Sequence, residues 1–429
     1  MRGGLLITAA AGVVALGAAA LWLASARHAA QTAHKREKIE VLHFWTSGGE
    51  AAAIHVIMQA VEKQGVTWID EPATSTDNLN QVLHSRAASG TPPGASHLAS
   101  AEVGPWARDG YLTDLSDVAA AGHWDGAIAP SIIPEIKIDG RYYAVPVDVH
   151  RTNWLWYNKK TFDRLGLTPP RTLEELKGVA EKLRAAGVIP LATGGSPWEE
   201  GALFESVVVA VGGPEFYRQA MVEQNEAALH SILMIKAFDE FRNLNKYIDP
   251  NYPGRDWNIA TQMVVSGQAA IQIIGDYAKA ELDLGGAKPN VDYGCVPAPG
   301  NAGSFLQTTD IFSMFKTTDE AETKAQKIFA KVVMDKGIQL EFSQKKGSLP
   351  ARADVEVGAL DYCGRKGFED RAEAEKQGHV LPAISHMEGT APERAGVFLD
   401  VISSFFENPA MTSQQAVDSL VSGLKSVEE

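Results

Sequence analysis

Residues 40–50, Glu-Val-Leu-His-Phe-Trp-Thr-Ser-Gly-Gly-Glu, join a β-prone run to the start of a helix. Val41 to Trp45 favours a strand, and Thr46-Ser47-Gly48-Gly49-Glu50 supplies N-cap residues and a carboxylate for a first helical turn. Ile54, Ile57, Met58 and Val61 then recur at helical spacing. A strand that turns directly into a helix opens an α/β unit, and open α/β sheets bind ligands beyond the carboxyl ends of their strands. At that edge the chain presents Phe44, Trp45, Thr46, Ser47 and Glu50. Aromatic rings pack on the apolar faces of a pyranose and polar side chains satisfy its rim, so the set suits a sugar. Core packing of Phe44 and Trp45 at the strand end is the competing reading, because large aromatics are mostly buried.

The same alternation continues. Val66 to Asp70 reads as a strand, 77–89 as a helix stopped by Gly90, and 95–100 as a short strand before another helix. This order predicts a mostly parallel sheet with crossover helices. Residues 136–145 read as a hairpin around Asp139-Gly140. The extended run from Val147 to Asn158 is a candidate connection between two halves, with His150 either a pocket or hinge residue or an ordinary strand histidine. Thr172-Leu173-Glu174-Glu175 is a capping box that starts a second βα series. Trp198 and Trp257 each open a helix, where packing at the helix start competes with ligand contact. The strand 269–274 ends in Gly275-Asp276-Tyr277-Ala278, a second strand-to-helix edge bearing a carboxylate and an aromatic. The chain from about 367 reads as mainly helical.

Residues 1–26 stand apart. Arg2, an apolar run from Leu5 to Leu23 and Ala24-Ser25-Ala26 form a signal peptide or, given the length of the run, an N-terminal membrane anchor. The remaining 403 or so residues, on the order of two domains' worth, bury a core without staples. In an exported chain the two cysteines, Cys295 and Cys363, are expected to form a disulfide, with two buried thiols as the alternative. The net charge of −14 and the lack of basic runs interleaved with aromatics argue against a nucleic-acid partner. No P-loop, no His-Glu-x-x-His, no cysteine cluster and no Gly-x-Ser-x-Gly occurs, so no metal site or cofactor is expected. Paired carboxylates of a glycosidase are spatial and stay open at this point.

Several stretches taken together resemble a known family: His43 to Glu50, Val145 to Trp156, Gly254 to Asn258, Gly275 to Lys279, Lys346 to Pro350 and Pro382 to His386. They resemble the periplasmic solute-binding proteins of ABC importers (extracellular solute-binding protein family 1), and within them the glucose/monosaccharide-binding subgroup. The likeness covers about residues 40–420. It implies an α/β, two-lobed periplasmic binding protein fold of type II, like that of maltose-binding protein, with hinge strands and a helical C-terminal region. Lobe 1 would span 40–148, completed by about 296–316. Lobe 2 would span 149–295, completed by about 317–429. Carried over by motif, the expected sugar contacts are Phe44, Trp45, Glu50, Trp198, Trp257, Tyr277, Asp310, Lys346 and His386, with Thr46, Ser47, His150 and Asp276 as further candidates. The resemblance implies a receptor rather than an enzyme. Its ligand would be a monosaccharide, small glycoside or oligosaccharide, its partners the permease transmembrane subunits, and its location the periplasm. The alternatives are a secreted or anchored carbohydrate-active enzyme and a membrane-tethered sugar sensor of the same fold. Phe44 stands where the subgroup has a second tryptophan, Ala99 where it has a lysine, and Tyr277 and Asp148 where it has a tryptophan and an asparagine; its Gly-rich loop near 72–77 is also absent.

Overall fold

A computed structural model of the protein describes residues 37–427. The signal or anchor segment expected over 1–26 lies outside them. Among the described residues no helix is long and apolar enough to cross a membrane.

The elements that carry the site are, in chain order, β1 (Lys38–His43), α1 (Gly48–Lys63), β2 (Thr67–Pro72), β3 (Ala95–Leu98), β4 (Ala144–Arg151), β5 (Trp154–Asn158), β6 (Ile189–Ala192), α2 (Pro197–Tyr217), α3 (Trp257–Ser266), β7 (Ala269–Ile274), α4 (Ala278–Leu284), β8 (Tyr293–Pro297), β9 (Phe305–Met314), α5 (Glu320–Val333), α6 (Lys336–Lys346), β10 (Leu349–Pro350), α7 (Tyr362–Gln377), β11 (Val380–Pro382), α8 (Pro392–Glu407) and α9 (Ser413–Ser426). They form two lobes, each with its own sheet and core. The first sheet runs β10-β4-β9-β3-β1-β2, with β11 pairing the start of β9. β1 is parallel to β2 and β3, whereas β9 lies antiparallel between β3 and β4. The second sheet runs β8-β5-β7-β6.

Local sequence explains the starts of the site helices. Ser47 caps α1 in a capping box with Glu50, and Asp335 caps α6 through two backbone N–H groups. The Asp139-Gly140 hairpin forms between Lys137–Ile138 and Arg141–Tyr142, and both turn residues have positive φ, 50° and 79°, as a type I′ turn requires.

The chain crosses between lobes at Thr152-Asn153, between β8 and β9, and again between β10 and α7. The first two crossings are hydrogen-bonded to each other: Thr152 N–H donates to Leu306 O at 2.9 Å, and Asn153 Nδ2 donates to Asn301 Oδ1 at 3.0 Å. Cys295 on β8 and Cys363 on α7 are joined by a disulfide, which fastens the third crossing to the second sheet.

Two boundaries differ from the expectation. β4 stays in the first sheet to Arg151, beyond residue 148. Residues 317–350, expected in the second lobe, complete the first. Ala325, Phe329, Ala330 and Val333 on α5 and Phe342 on α6 enter the core under β1, and β10 pairs with β4. The cause is topological. β9 runs through the middle of the first sheet, so the chain leaves it still within the first lobe, and the apolar stripes of α5 and α6 bury against that sheet at once. Only α7, α8 and α9 return toward the second lobe, where Phe398, Ile402, Val417 and Leu420 lie in its core.

Candidate functional site

The carboxyl edge of β1 builds one wall. Trp45 is only 1% exposed and is enclosed by His97, Phe312 and Phe342, with ring centroids 5.4–5.6 Å away. It is therefore a core residue, and the Lys346 ammonium covers one ring face at 4.7 Å from the centroid. Its indole N–H is buried without a hydrogen-bond partner. Phe44 is half-buried with its ring edge-on to His97, whereas Thr46 is exposed. Ser47 spends its hydroxyl oxygen on the helix cap, accepting from Glu50 N–H. Glu50 returns one oxygen to Ser47 N–H at 3.2 Å and accepts from Lys346 Nζ at 3.1 Å with the other.

The floor is a charged cluster on the crossing strands. β9 sets Asp310 opposite Asp148 of β4, with an irregularity just after Asp310. Asp310 Oδ1 accepts from His97 Nε2 at 3.0 Å, and Oδ2 lies 3.2 Å from His150 Nε2 and 3.9 Å from Lys346 Nζ. Both nitrogens of His150 face carboxylates, Nδ1 that of Asp276 and Nε2 those of Asp310 and Asp148, so both carry protons and the ring is an imidazolium. Burial opposes that charge, but Asp148 and Asp276 overcome it and push the pKa up to about 10. Burial also works against an ionised Asp310, yet the Lys346 charge and the bonds from His150 and His97 hold its carboxyl well below the usual range. Asp148, fully buried and with neither oxygen hydrogen-bonded, is driven the other way by desolvation.

The opposing wall comes from the second lobe. Asp276 and Tyr277 follow β7, Trp257 begins α3, and Trp198 lies in the first turn of α2. The Tyr277 ring is met edge-on by Trp257 at 5.1 Å, Trp198 at 6.1 Å and His150 at 5.4 Å. His386 touches Trp198 at 5.5 Å, and its Nε2 is 3.3 Å from the Tyr277 hydroxyl. Trp198 and Trp257 are half-buried, so each keeps an accessible face.

Thus Glu50, Asp310 and Lys346 from the first lobe and Asp276, Tyr277, Trp198, Trp257 and His386 from the second converge on His150; Trp45 lies behind Lys346, and Thr46 and Ser47 sit at the rim. The lobes are closed on each other here. Gly49 N–H at the start of α1 donates to Glu281 Oε1 of α4 at 3.1 Å. The rings and charges already touch, so a ligand enters only when the lobes part. A cavity of about 200 Å³ lies to one side, lined by Lys279, Gly347, Ser348 and Asp361 among others, and not among the aromatic rings. Sequence reasoning missed His97, and marked Asp148 only as a departure from the subgroup's motif. His97 ends a parallel strand one residue short of Leu98, at the edge where ligands bind, and that position was its signal. Asp148, His150 and Asp310 place donor atoms within 4.8 Å of one another. Lys346 supplies a cation to the Asp310 carboxylate beside them.

The charge pattern sets a pH dependence. The pKa of His150, ordinarily 6.5, is raised to about 10 on folding, so its contribution to stability is complete below pH 6.5 and is lost as pH rises through about 10. The unfolding free energy from denaturant titration should fall over that window, and His150→Gln should show a shallower fall. Equal slopes in both proteins would contradict the assignment.

The sequence profile of the family described as bacterial extracellular solute-binding protein matches residues 46–336. A probable sugar-binding periplasmic protein of Mesorhizobium japonicum is 38% identical over 90% of this chain and 93% of its own length. An uncharacterized ABC transporter extracellular-binding protein of Pyrococcus horikoshii is 30% identical over 86% of this chain and 83% of its own. A solved chitin oligosaccharide binding protein superposes with a TM-score of 0.77 at 21% identity, over 91% of this chain and 98% of that one.

Proposed function

The chain belongs to the bacterial extracellular solute-binding protein family, and on that premise we propose that it is the substrate-binding component of an ABC sugar importer. It captures a monosaccharide or small glycoside or oligosaccharide between its lobes in the periplasm and delivers it to the permease. It holds its ligand and does not transform it.

One observation carries this reading: the polar cluster of Asp310, Lys346 and Glu50 on one lobe faces the aromatic wall of Trp198, Trp257 and Tyr277 on the other. A sugar lays an apolar face on the tryptophans and directs its hydroxyls to the carboxylates and the ammonium. Because the two groups sit on different lobes, the ligand gains both sets of contacts only in the closed form and shifts the hinge toward it. The permease reads the closed surface, while other subunits hydrolyse ATP.

A panel of monosaccharides, disaccharides and glycosides tests it by calorimetry and thermal unfolding. At a hundredfold excess over Kd a bound sugar should stabilise the fold by about 2.7 kcal/mol. No heat and no shift across the panel would contradict the proposal.

A further inference from the structure

Behind the aromatic wall lies a buried relay that the sugar contacts do not require. Glu205 on α2 is 1% exposed. Its Oε1 accepts from Ser385 N–H at 2.9 Å, and its Oε2 lies 2.7 Å from Ser385 Oγ. Ser385 Oγ is in turn 3.0 Å from His386 Nδ1, and His386 Nε2 is 3.3 Å from the Tyr277 hydroxyl. We propose that Glu205, acting through Ser385, fixes the tautomer of His386 and so turns the Tyr277 hydroxyl into a hydrogen-bond acceptor toward the cleft.

The logic is one of proton counting. A serine hydroxyl has one proton. Glu205 Oε2 needs it, so Ser385 donates there and its oxygen accepts from His386. Nδ1 therefore carries the ring proton. Burial and the nearby positive charge of His150 push the pKa of His386 down to about 3, so the ring is neutral and Nε2 is bare. Tyr277 then gives its one proton to Nε2, and its oxygen offers only lone pairs beside Trp198 and Trp257. Burial pushes the Glu205 pKa up to about 7, and a proton on Oε2 would be donated to Ser385 Oγ and reverse the relay, so the assigned tautomer is that of the ionised carboxylate.

The tautomer assignment stands on the hydrogen bonds and on the neutrality of the His386 ring, and on no ligand. Its consequence for specificity rests on the sugar-receptor reading: the group that meets Tyr277 must be a donor, such as a free hydroxyl or an amino group, and not an ether or carbonyl oxygen. Glu205 is a positioning residue with no ligand contact of its own.

Nitrogen-15 NMR of the histidine-labelled full chain, with His386 assigned from the spectrum of His386→Gln, reads the tautomer directly. Above the Glu205 pKa of about 7, the wild-type protein should show a protonated Nδ1 and a bare Nε2, the reverse of the form that free neutral histidine favours. In Glu205→Gln the Ser385 N–H holds the amide oxygen in the place of Oε1, so the amide nitrogen donates to Ser385 Oγ. Ser385 must then donate to His386, the ring proton moves to Nε2, and sugar affinity should fall about tenfold. In a Ser385→Ala background the same change at 205 should alter neither the tautomer nor the affinity. A protonated Nε2 in the wild type, which needs no variant to fold, overturns the proposal, as does an unchanged tautomer in Glu205→Gln. A switched tautomer with unchanged affinity overturns the acceptor role of Tyr277. Absence of any sugar binding by the wild type would instead count against the receptor reading and leave the tautomer assignment intact.

Discussion

Asp310→Ala should weaken sugar binding by at least about a hundredfold and lower the unfolding free energy by about 3–5 kcal/mol. The carboxylate sits 7% exposed at the meeting point of His97, His150 and Lys346. Truncating it leaves two buried cations, the His150 imidazolium and the Lys346 ammonium, short of a counter-charge, and removes the acceptor that a sugar hydroxyl would meet. Two costs of different origin therefore appear in two different measurements, calorimetric titration and denaturant unfolding. Asp310→Asn separates them. It keeps the shape and one acceptor oxygen but loses the charge, so it should recover part of the binding and little of the stability. Near-native affinity in Asp310→Ala would remove this residue from the site.

Gly49→Ala should raise the apparent Kd by about tenfold or more without destabilising the ligand-free protein. Position 49 is the second residue of α1, where alanine suits the helix better than glycine by roughly 1 kcal/mol. Across the cleft, however, a Cβ at this position would overlap the Ala280 methyl and press on Glu281 Oε1, and the Gly49 N–H bond to Glu281 would have to lengthen. The substitution thus favours the element that carries it and penalises only the approach of the two lobes. Reduced affinity combined with equal or higher thermal stability is the expected signature, and small-angle scattering with saturating sugar should report a larger radius than in the wild type at the same saturation. Unchanged affinity would mean that the closed arrangement of α1 and α4 is not the ligand-bound one.

How much of this was legible in the sequence depends on range. Where a strand passes straight into a helix, spacing alone places side chains at an edge, and the N-cap residues and first-turn carboxylate of 46–50 and the Asp276-Tyr277 edge after β7 were both visible there. Residues brought in by motif, Asp310 and Lys346, do join that edge, but what aligns them is the pairing of β9 between β3 and β4. That pairing links His97 to Asp310 across 213 residues, and no local pattern announces it. For the same reason His97 carries no local signal of its pairing, and the lobe of α5 and α6 does not follow from their sequence: an amphipathic helix shows that it has a face to bury but not which sheet will receive it. For Trp45 the structure shows the core reading: it is packed in the core, with Lys346 over its remaining face.

The central claim is that one cleft, floored by Asp310, Lys346 and Glu50 and walled by Trp198, Trp257 and Tyr277, receives the sugar. A crystal structure of the protein grown with whichever sugar the panel identifies tests this most directly. The account predicts ring density against Trp198 or Trp257 with hydroxyls bonded to Asp310 and Lys346. Density elsewhere, for instance in the cavity beside Lys279 and Asp361, with these side chains left as they are, would contradict it.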